Sequence, residues 1–403
     1  NRVSPNMCMP ARKPHKAVRA PEPVAVAATE SAGDGLSTPA GRILAAALAL
    51  PLAVPVLAQG VPDRATLSLR VLDYQDRQPG ADRVRVKAPA LALAMPLAGP
   101  WSLGASVVSD AISGASPAYH TRGLSRLSDE RNAADVTLTR AFDDATLSVG
   151  AAGSHESDYD SAALSLQGTW SSDDRNTTWA GGLAASRDRV NPVTAVVQGA
   201  RKRVLDVHLG LTRVLSATSV WQVNLGLNRA RGYLSDPYKV FDVRPSQRDA
   251  LRLLVRGNHH LRDGGQTVRW SWRMYRDDWK VRAHTLGLEF VQPIAAQWSV
   301  TPALRLHSQD RARFYVEVDP EAAPFVTQPP PGAAYSSLDQ RLSAFGAVTA
   351  GIKLTWQPDP EWTLDVKFER YAQRGRWHWR GEGSTGLAAF DARTWQFGVV
   401  RRF

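Results

Sequence analysis

The sequence is short of thiols: its single cysteine is Cys8, so no intrachain disulfide and no cysteine-based metal centre can form. Methionine is scarce, with four copies in 403 residues. Mean hydropathy is −0.28, which excludes a protein of many membrane-spanning helices but not a membrane barrel, whose strands are only half apolar. The formal net charge is +11, yet no Lys/Arg block of the kind that tracks phosphates is present, and the arginines are scattered singly. Nucleic acid is therefore not expected as a partner. Also missing are a Gly-x-Ser-x-Gly elbow, a His-Glu-x-x-His pair, a phosphate-cradling glycine loop and an EF-hand pattern. No catalytic residue, metal ligand or cofactor-binding residue is assigned.

Past Val61 there is no long stretch of period 3.6. A period of two takes its place. In Trp221, Val223, Leu225 and Leu227 one face is apolar, while Gln222, Asn224, Gly226 and Asn228 make the other polar. The dyad returns in Leu205 to Thr212 and in Trp362 to Glu369. Sixteen such segments are expected, at 66–74, 83–94, 101–109, 133–142, 146–155, 161–170, 177–188 and 202–215, then 219–229, 248–261, 266–276, 281–292, 297–309, 340–356, 361–373 and 392–403. Most are longer than the five or six residues of a soluble strand and reach the roughly 9–11 that a tilted strand needs to cross a bilayer. Pro89 interrupts one segment and 248–261 alternates cleanly only in its middle, so fourteen is the alternative count.

The connections separate a membrane barrel from a sandwich. Long ones, at 110–132, 189–201, 230–247, 310–339 and 374–391, alternate with tight ones such as 95–100, 143–145, 216–218, 293–296 and 357–360. Two links, 156–160 and 277–280, are short where long ones are allowed. Long loops on one side and tight turns on the other describe an antiparallel outer-membrane β-barrel of a Gram-negative bacterium. The thirteen tryptophans tend to lie near segment ends, as an interfacial girdle would. In the last segment Trp395, Phe397 and the terminal Phe403 share the apolar face, a pattern read as the insertion signal for the barrel-assembly machinery.

Upstream, Arg42 precedes the uncharged run 43–57, which ends in Val56, Leu57 and Ala58. Residues 42–58 read as a secretory leader cleaved before Gln59, with a single transmembrane anchor as the alternative. Cleavage removes six basic and three acidic residues and leaves a formal charge of +8. Residues 1–41, rich in Pro, Ala and charge, read as a disordered extension and point to a start assigned upstream of the true one, near Leu36. Residues 59–403 form the barrel.

On the polar faces Asp365, Lys367 and Glu369 alternate down one strand, and Arg252, Arg256, Arg269, Arg273 and Arg305 add a basic set. Inside a membrane such charges require water or opposite charges, so they imply a polar lumen. They line an anion-preferring channel or interlock as a plug; both readings stay open. His208 beside Asp206 falls inward, and His284 lies near an inward register. His259 and His260 at a tight turn point to opposite faces and make a poor metal site. External-loop candidates are Tyr119 and His120 in the 109–120 loop, and Tyr233, Asp236 and Tyr238 in the 231–239 loop, which either bind a partner or pack over the lumen, the favoured reading. Asp319 and Glu321, on a loop stiffened by Pro329 to Pro331, are placed to form an acidic constriction, with Phe325 marking the loop's inward side.

Several stretches carry a family resemblance: Leu72 to Asp76, Ser109 to His120, Ser235 to Lys239, Tyr275 to Trp279 with Arg282 to Thr285, and Phe368 to Tyr371. Over about 62–403 the chain resembles the bacterial family called domain of unknown function 3570, a proposed outer-membrane barrel family. The resemblance brings no catalytic assignment. It implies an envelope redox or export context, since members are often encoded beside a flavin-transferase-type protein and a small lipoprotein, which makes such a lipoprotein a candidate partner. The functional expectation is a porin-like channel for small polar or anionic solutes, surrounded by outer-membrane lipid and lipopolysaccharide. The alternative is a non-conducting scaffold or partner-binding barrel acting through its external loops, with an embedded enzyme third.

Overall fold

A strand whose two faces differ in polarity must bury or solvate them separately, and in hydrocarbon every backbone donor also needs a partner. The computed structural model meets both demands. It describes residues 61–79, 81–114, 127–192, 195–239, 241–318 and 328–403. The leader and extension, Tyr119, His120, Asp319, Glu321 and Phe325 lie outside the described residues.

Sixteen antiparallel strands form one closed sheet. They are β1 (Thr66–Gln78), β2 (Ala81–Pro96), β3 (Trp101–Gly114), β4 (Leu127–Ala141), β5 (Ala145–His155), β6 (Tyr159–Ser171), β7 (Thr177–Val190) and β8 (Ala200–Ser216), then β9 (Ser219–Gly232), β10 (Gln247–His260), β11 (Thr267–Asp277), β12 (Arg282–Ala295), β13 (Trp298–Gln309), β14 (Phe345–Trp356), β15 (Trp362–Arg374) and β16 (Phe390–Arg402). Each strand pairs with its neighbour in the chain, and β1 closes on β16 from Thr66 opposite Arg402 to Arg77 opposite Asp391. All sixteen expected segments are strands. Most extend beyond the expected bounds at the long-loop end, where polar residues weaken the alternation. β14 is instead much shorter and begins at Phe345, because Gln340–Leu342 forms a 3-10 turn capped by the Asp339 carboxylate. Pro89 neither ends β2 nor shifts its register: the pairing with β3 skips from Lys87–Ala111 to Ala90–Val108 and resumes in step.

The dyad sorts as the sequence predicts. Leu164, Leu166, Leu183, Leu209, Leu227, Leu288 and Ile352 are exposed on the outer wall. Trp101, Phe142, Trp170, Trp179, Trp221, Trp298 and Trp362 ring the outer wall at the short-turn end. Trp170 lies directly opposite Trp179, and Trp298 stacks on Trp356 with ring centres 5.5 Å apart. Indole rings of this kind settle at a membrane–water boundary.

Inside, small residues make room for large ones. Arg70 on β1 and Asp365 on β15 are separated by the whole of β16, yet their charges lie 3.6 Å apart. The intervening residue is Gly398, where an added Cβ would sit 2.4 Å from the Asp365 carboxylate. Gly398→Val is therefore expected to expel Asp365 and leave Arg70 buried without its partner. Loss of a buried pair's partner costs about 3–5 kcal/mol. The expected result is a lower denaturant midpoint for the detergent-refolded barrel, and an unchanged midpoint refutes the cross-strand bridge.

Candidate functional site

Inward-facing residues fall into two layers. The middle layer is a belt of charge on the lumen wall. Register places Arg252 opposite Tyr275 and Gly226, Arg256 opposite Ser271 and Gln222, Arg269 opposite Asn258 and Glu289, and Arg273 opposite Leu254 and Thr285. Arg305 faces Thr349 and Gly287, and Asp365, Lys367 and Glu369 line β15 on the same inner wall. All eight thus lie on one side of the sheet, opposite the exposed leucines. Arg252 is paired with Asp206, Lys367 with Glu369 at 3.0 Å, and Arg256 donates to the Gln222 side-chain oxygen at 2.5 Å. Arg269 and Glu289 approach to 3.6 Å, and Arg305 reaches Glu369 at 3.9 Å. These last arginines stay wet: the Arg269 side chain is 45% exposed and that of Arg305 is 55% exposed. The wall of β11–β13 therefore borders open lumen, whereas Arg70 on β1 and Asp365 on β15 are packed.

His208 takes its inward place between Gly182 and Gly226 on the flanking strands. His284 does not. It pairs with Met274 on the outward face and stacks on Trp272 at 6.0 Å, because Leu286, Leu288 and Phe290 set even-numbered positions of β12 outward. The inward histidine of that region is His307, which shares a 2.9 Å hydrogen bond with Thr285. His259 and His260 bond to Ser219 and Thr267 on opposite neighbouring strands, and no cluster able to hold a metal ion occurs among the described residues.

The second layer lies across the long-loop mouth. The loop after β9 and the loop after β13 meet there: Val243 and Ser336 exchange both backbone hydrogen bonds, at 2.8 and 3.0 Å. Beneath that bridge is a knot of charge. Arg341 reaches Asp236 at 2.5 Å and donates from Nε to Asp339; Arg244 joins Asp339 at 2.7 Å to Asp242 at 2.8 Å. Asp236, Asp339 and Ser337 are fully buried or nearly so. Burial pushes Asp236 upward from the ordinary carboxylate value, and Arg341 offsets only part of this. Burial acts likewise on Asp339, but there Arg341, Arg244 and Lys239 outweigh it and hold the carboxyl well below 3.8.

Other connections tie into this knot. The Tyr238 hydroxyl donates to Asp158 in the loop after β5, and Gln78 at the tip of β1 donates to Gln340 at 3.1 Å. Trp279, Val281, Ala312, Phe314, Tyr315 and Leu342 form an apolar core between the β11–β12 turn and the long loop. In the β15–β16 loop, Gly386 has φ +67°, and a Cβ there would lie 1.9 Å from the Val318 carbonyl. His378 of the same loop bonds Asp310 at 2.9 Å. Loops rooted around the rim thus converge above the lumen. Tyr233, half-buried, with Asp236 and Tyr238, both buried, are internal braces of this lid rather than an outward binding surface. Arg244, Asp242 and Asp339 were invisible to period-two reasoning, since loop residues carry no periodicity, and Arg341 falls in the expected 340–356 strand that in fact begins at Phe345.

The family profile described as "Protein of unknown function (DUF3570)" matches residues 120–200 and 194–392. No curated protein matches the sequence significantly. Similar solved structures include a bacterial polysaccharide outer membrane secretin, 8% identical over 85% of this chain and 99% of that one, with a TM-score of 0.51. CdiB from Acinetobacter baumannii is 9% identical over 84% of this chain and 60% of its own, with a TM-score of 0.49. OccK2 (OpdF) of Pseudomonas aeruginosa, solved with glucuronate, is 12% identical over 85% and 99%, with a TM-score of 0.45. The fold is that of bacterial outer-membrane β-barrel proteins.

Because Asp339 is depressed, its contribution to lid closure is full above pH 3.8 and is lost as pH falls toward its lowered value. Asp236 is raised and has the opposite sign, taking up its proton first and easing its own burial. Hydrogen-exchange protection of the Val243 and Ser336 amides is expected to persist from neutrality to about pH 4 and fall below it. Asp339→Asn is expected to reduce that protection at neutral pH, by up to about 3–5 kcal/mol of closure free energy. Equal protection in the variant would mean that the knot does not hold the lid.

Proposed function

The chain belongs to the family described as Protein of unknown function (DUF3570), and we propose that it is an outer-membrane channel for small anionic or polar solutes, closed at its external mouth by its own loops. The observation that carries this reading is the wet wall of the lumen, with Arg269 and Arg305 half exposed inside a closed sheet and only loosely approached by Glu289 and Glu369, at 3.6 and 3.9 Å. A guanidinium held in a low-dielectric tube with water beside it attracts anions and weakens cation passage, as rings of Arg and Lys do in anion pores. The long-loop end faces outward from the cell, and the girdle of Trp179, Trp221 and Trp298 sits at the periplasmic boundary. Chemistry on a substrate is not part of this reading: the barrel acts by passage.

One feature favours the second reading, a non-conducting barrel that works through its loops. The Asp236–Arg341–Asp339–Arg244 knot lies buried across the mouth and joins loops far apart around the rim. On the channel reading that knot is a gate, and loosening it raises conductance. On the scaffold reading the barrel never conducts, whatever the state of the knot.

Planar-bilayer recording of the refolded full chain separates the two. Expected are rare or small steps for the native protein, and frequent porin-sized steps with chloride preferred over potassium for Asp339→Asn. Arg269→Gln with Arg305→Gln, added to that variant, is expected to reduce the chloride preference several-fold. Silence from a folded, heat-modifiable Asp339→Asn barrel would end the channel reading and leave the scaffold.

A further inference from the structure

Just above the apolar band, the outer wall of β7, β8 and β9 carries arginines in two tiers. Arg187 lies directly opposite Arg203, which lies opposite Arg231; one step higher Arg189 lies opposite Arg201. All five are exposed and lie on the same outward face as Leu183, Leu205 and Leu227. Like charges placed opposite one another across a sheet repel, so the pattern is unfavourable unless an anion sits on it. Nearby carboxylates do not supply that anion. Asp249 is already held by Arg229 through bonds of 2.8 and 3.0 Å, and Asp160, opposite Arg189, is bonded to His155 at 2.6 Å. Arg187, Arg189, Arg201 and Arg203 have no salt bridge among the described residues.

Adjoining these tiers, the same wall has a groove of about 700 Å³. Its lower part is lined by Leu205, Val207, Leu227 and Leu251; its upper rim carries Arg276, Lys280 and Arg313 beside Asp278, the Arg229–Asp249 pair and Asp277, which is held by Arg248. On β8 and β9, Leu205 and Leu227 lie below Arg203 and Arg231 of the tiers, so one ligand that uses both must carry alkyl chains and anionic groups at their head.

We propose that this face binds a phosphorylated glycolipid of the outer leaflet, its acyl chains in the leucine-lined groove and its phosphates on the arginine tiers. Charge complementarity selects phosphate: guanidinium groups in register offer several forked donors to an anion of more than one charge. Free phosphate would leave the groove unused, and a zwitterionic lipid would leave the tiers unneutralised. The proposal rests on the reading that the long-loop end faces outward from the cell.

The test is binding of the full chain in detergent to diphosphorylated lipid A, followed by native mass spectrometry, with fully dephosphorylated lipid A and inorganic phosphate as comparison probes. The variant is Arg187→Gln/Arg203→Gln/Arg231→Gln, with folding checked by heat-modifiable mobility. A basic residue near an anionic surface is worth about fivefold in affinity, so the triple variant is expected to bind on the order of a hundredfold more weakly. Arg187→Lys/Arg203→Lys/Arg231→Lys, which keeps the charge, should retain most of the affinity and guards against a folding artefact. Equal binding by the glutamine variant, equal binding of dephosphorylated lipid, or displacement of lipid A by inorganic phosphate at comparable concentration would each overturn the proposal. The channel reading fails separately: a barrel that conducts but ignores lipid A loses only this site, and one that binds lipid A but never conducts loses only the channel.

Discussion

A polypeptide that crosses hydrocarbon in strands has no water to satisfy an edge, so its first strand must pair with its last. Everything else in this molecule depends on that closure. The β1–β16 ladder joins residues more than three hundred apart in the chain, and only when it forms does the inner wall become an inside. Until then Arg70 and Asp365, on different strands with β16 between them, have no fixed relation. Once the sheet closes, the same alternation that gives lipid its leucines gives the lumen its arginines. The period of two produces both surfaces, and a slip of one residue would exchange them.

The two rims of the barrel are chemically different. At the short-turn end, Trp179, Trp221 and Trp298 face outward, and Arg140 lies over the rings of Trp101 and Phe142 at 5.6 and 4.9 Å. Aromatic rings suit a boundary of zwitterionic headgroups, where an amphipathic ring has one apolar and one wet side. At the long-loop end the outward positions turn to Arg187, Arg203, Arg231, Arg276 and Arg282, with few aromatic residues among them.

The barrel was legible because period two is a local property with a global consequence. Each expected segment became a strand, and inward positions such as Arg269 and Lys367 followed from counting alternate residues away from the leucines. His284 shows where counting fails. It lies near the long-loop end of β12, where Arg282 already breaks the apolar run, and only the exposed Leu286 and Leu288 further along settle its face. The lid was illegible for a different reason. Asp236 and Tyr238 stood out as loop residues, but their burial depends on Arg341, Asp339 and Asp158, which are far away in sequence and belong to no periodic pattern. The 340–344 stretch even resembled the start of a strand, although a side-chain cap from Asp339 turns it into a 3-10 segment. Stretches that carry the family resemblance, Ser235 to Lys239 and Tyr275 to Trp279, are the ones that build this lid.

The chemistry of the lid bears on whether it is a wall or a door. Burying ion pairs costs desolvation that their mutual attraction barely repays, so a permanent stopper is built at least as stably from apolar side chains. Here the apolar core of Trp279, Phe314 and Leu342 anchors the long loop to the rim, while two ion pairs, Arg244–Asp339 and Arg341–Asp236, join that loop to the loop after β9 beside the Val243–Ser336 backbone bridge. Arg341 and Arg244 each bridge two carboxylates, so separating the loops leaves each cation with an acid on its own side: Asp339 for Arg341, Asp242 for Arg244. Asp236 alone gives up its ion-pair partner, and Lys239 of its own loop is the cation left near it while water takes over the remaining bonds. An apolar plug offers no such intermediate, because opening it exposes its whole face at once. On the channel reading proposed above, a rim fixed by hydrophobic packing and a seam closed in part by shared ions is the division of labour that a reversible gate requires.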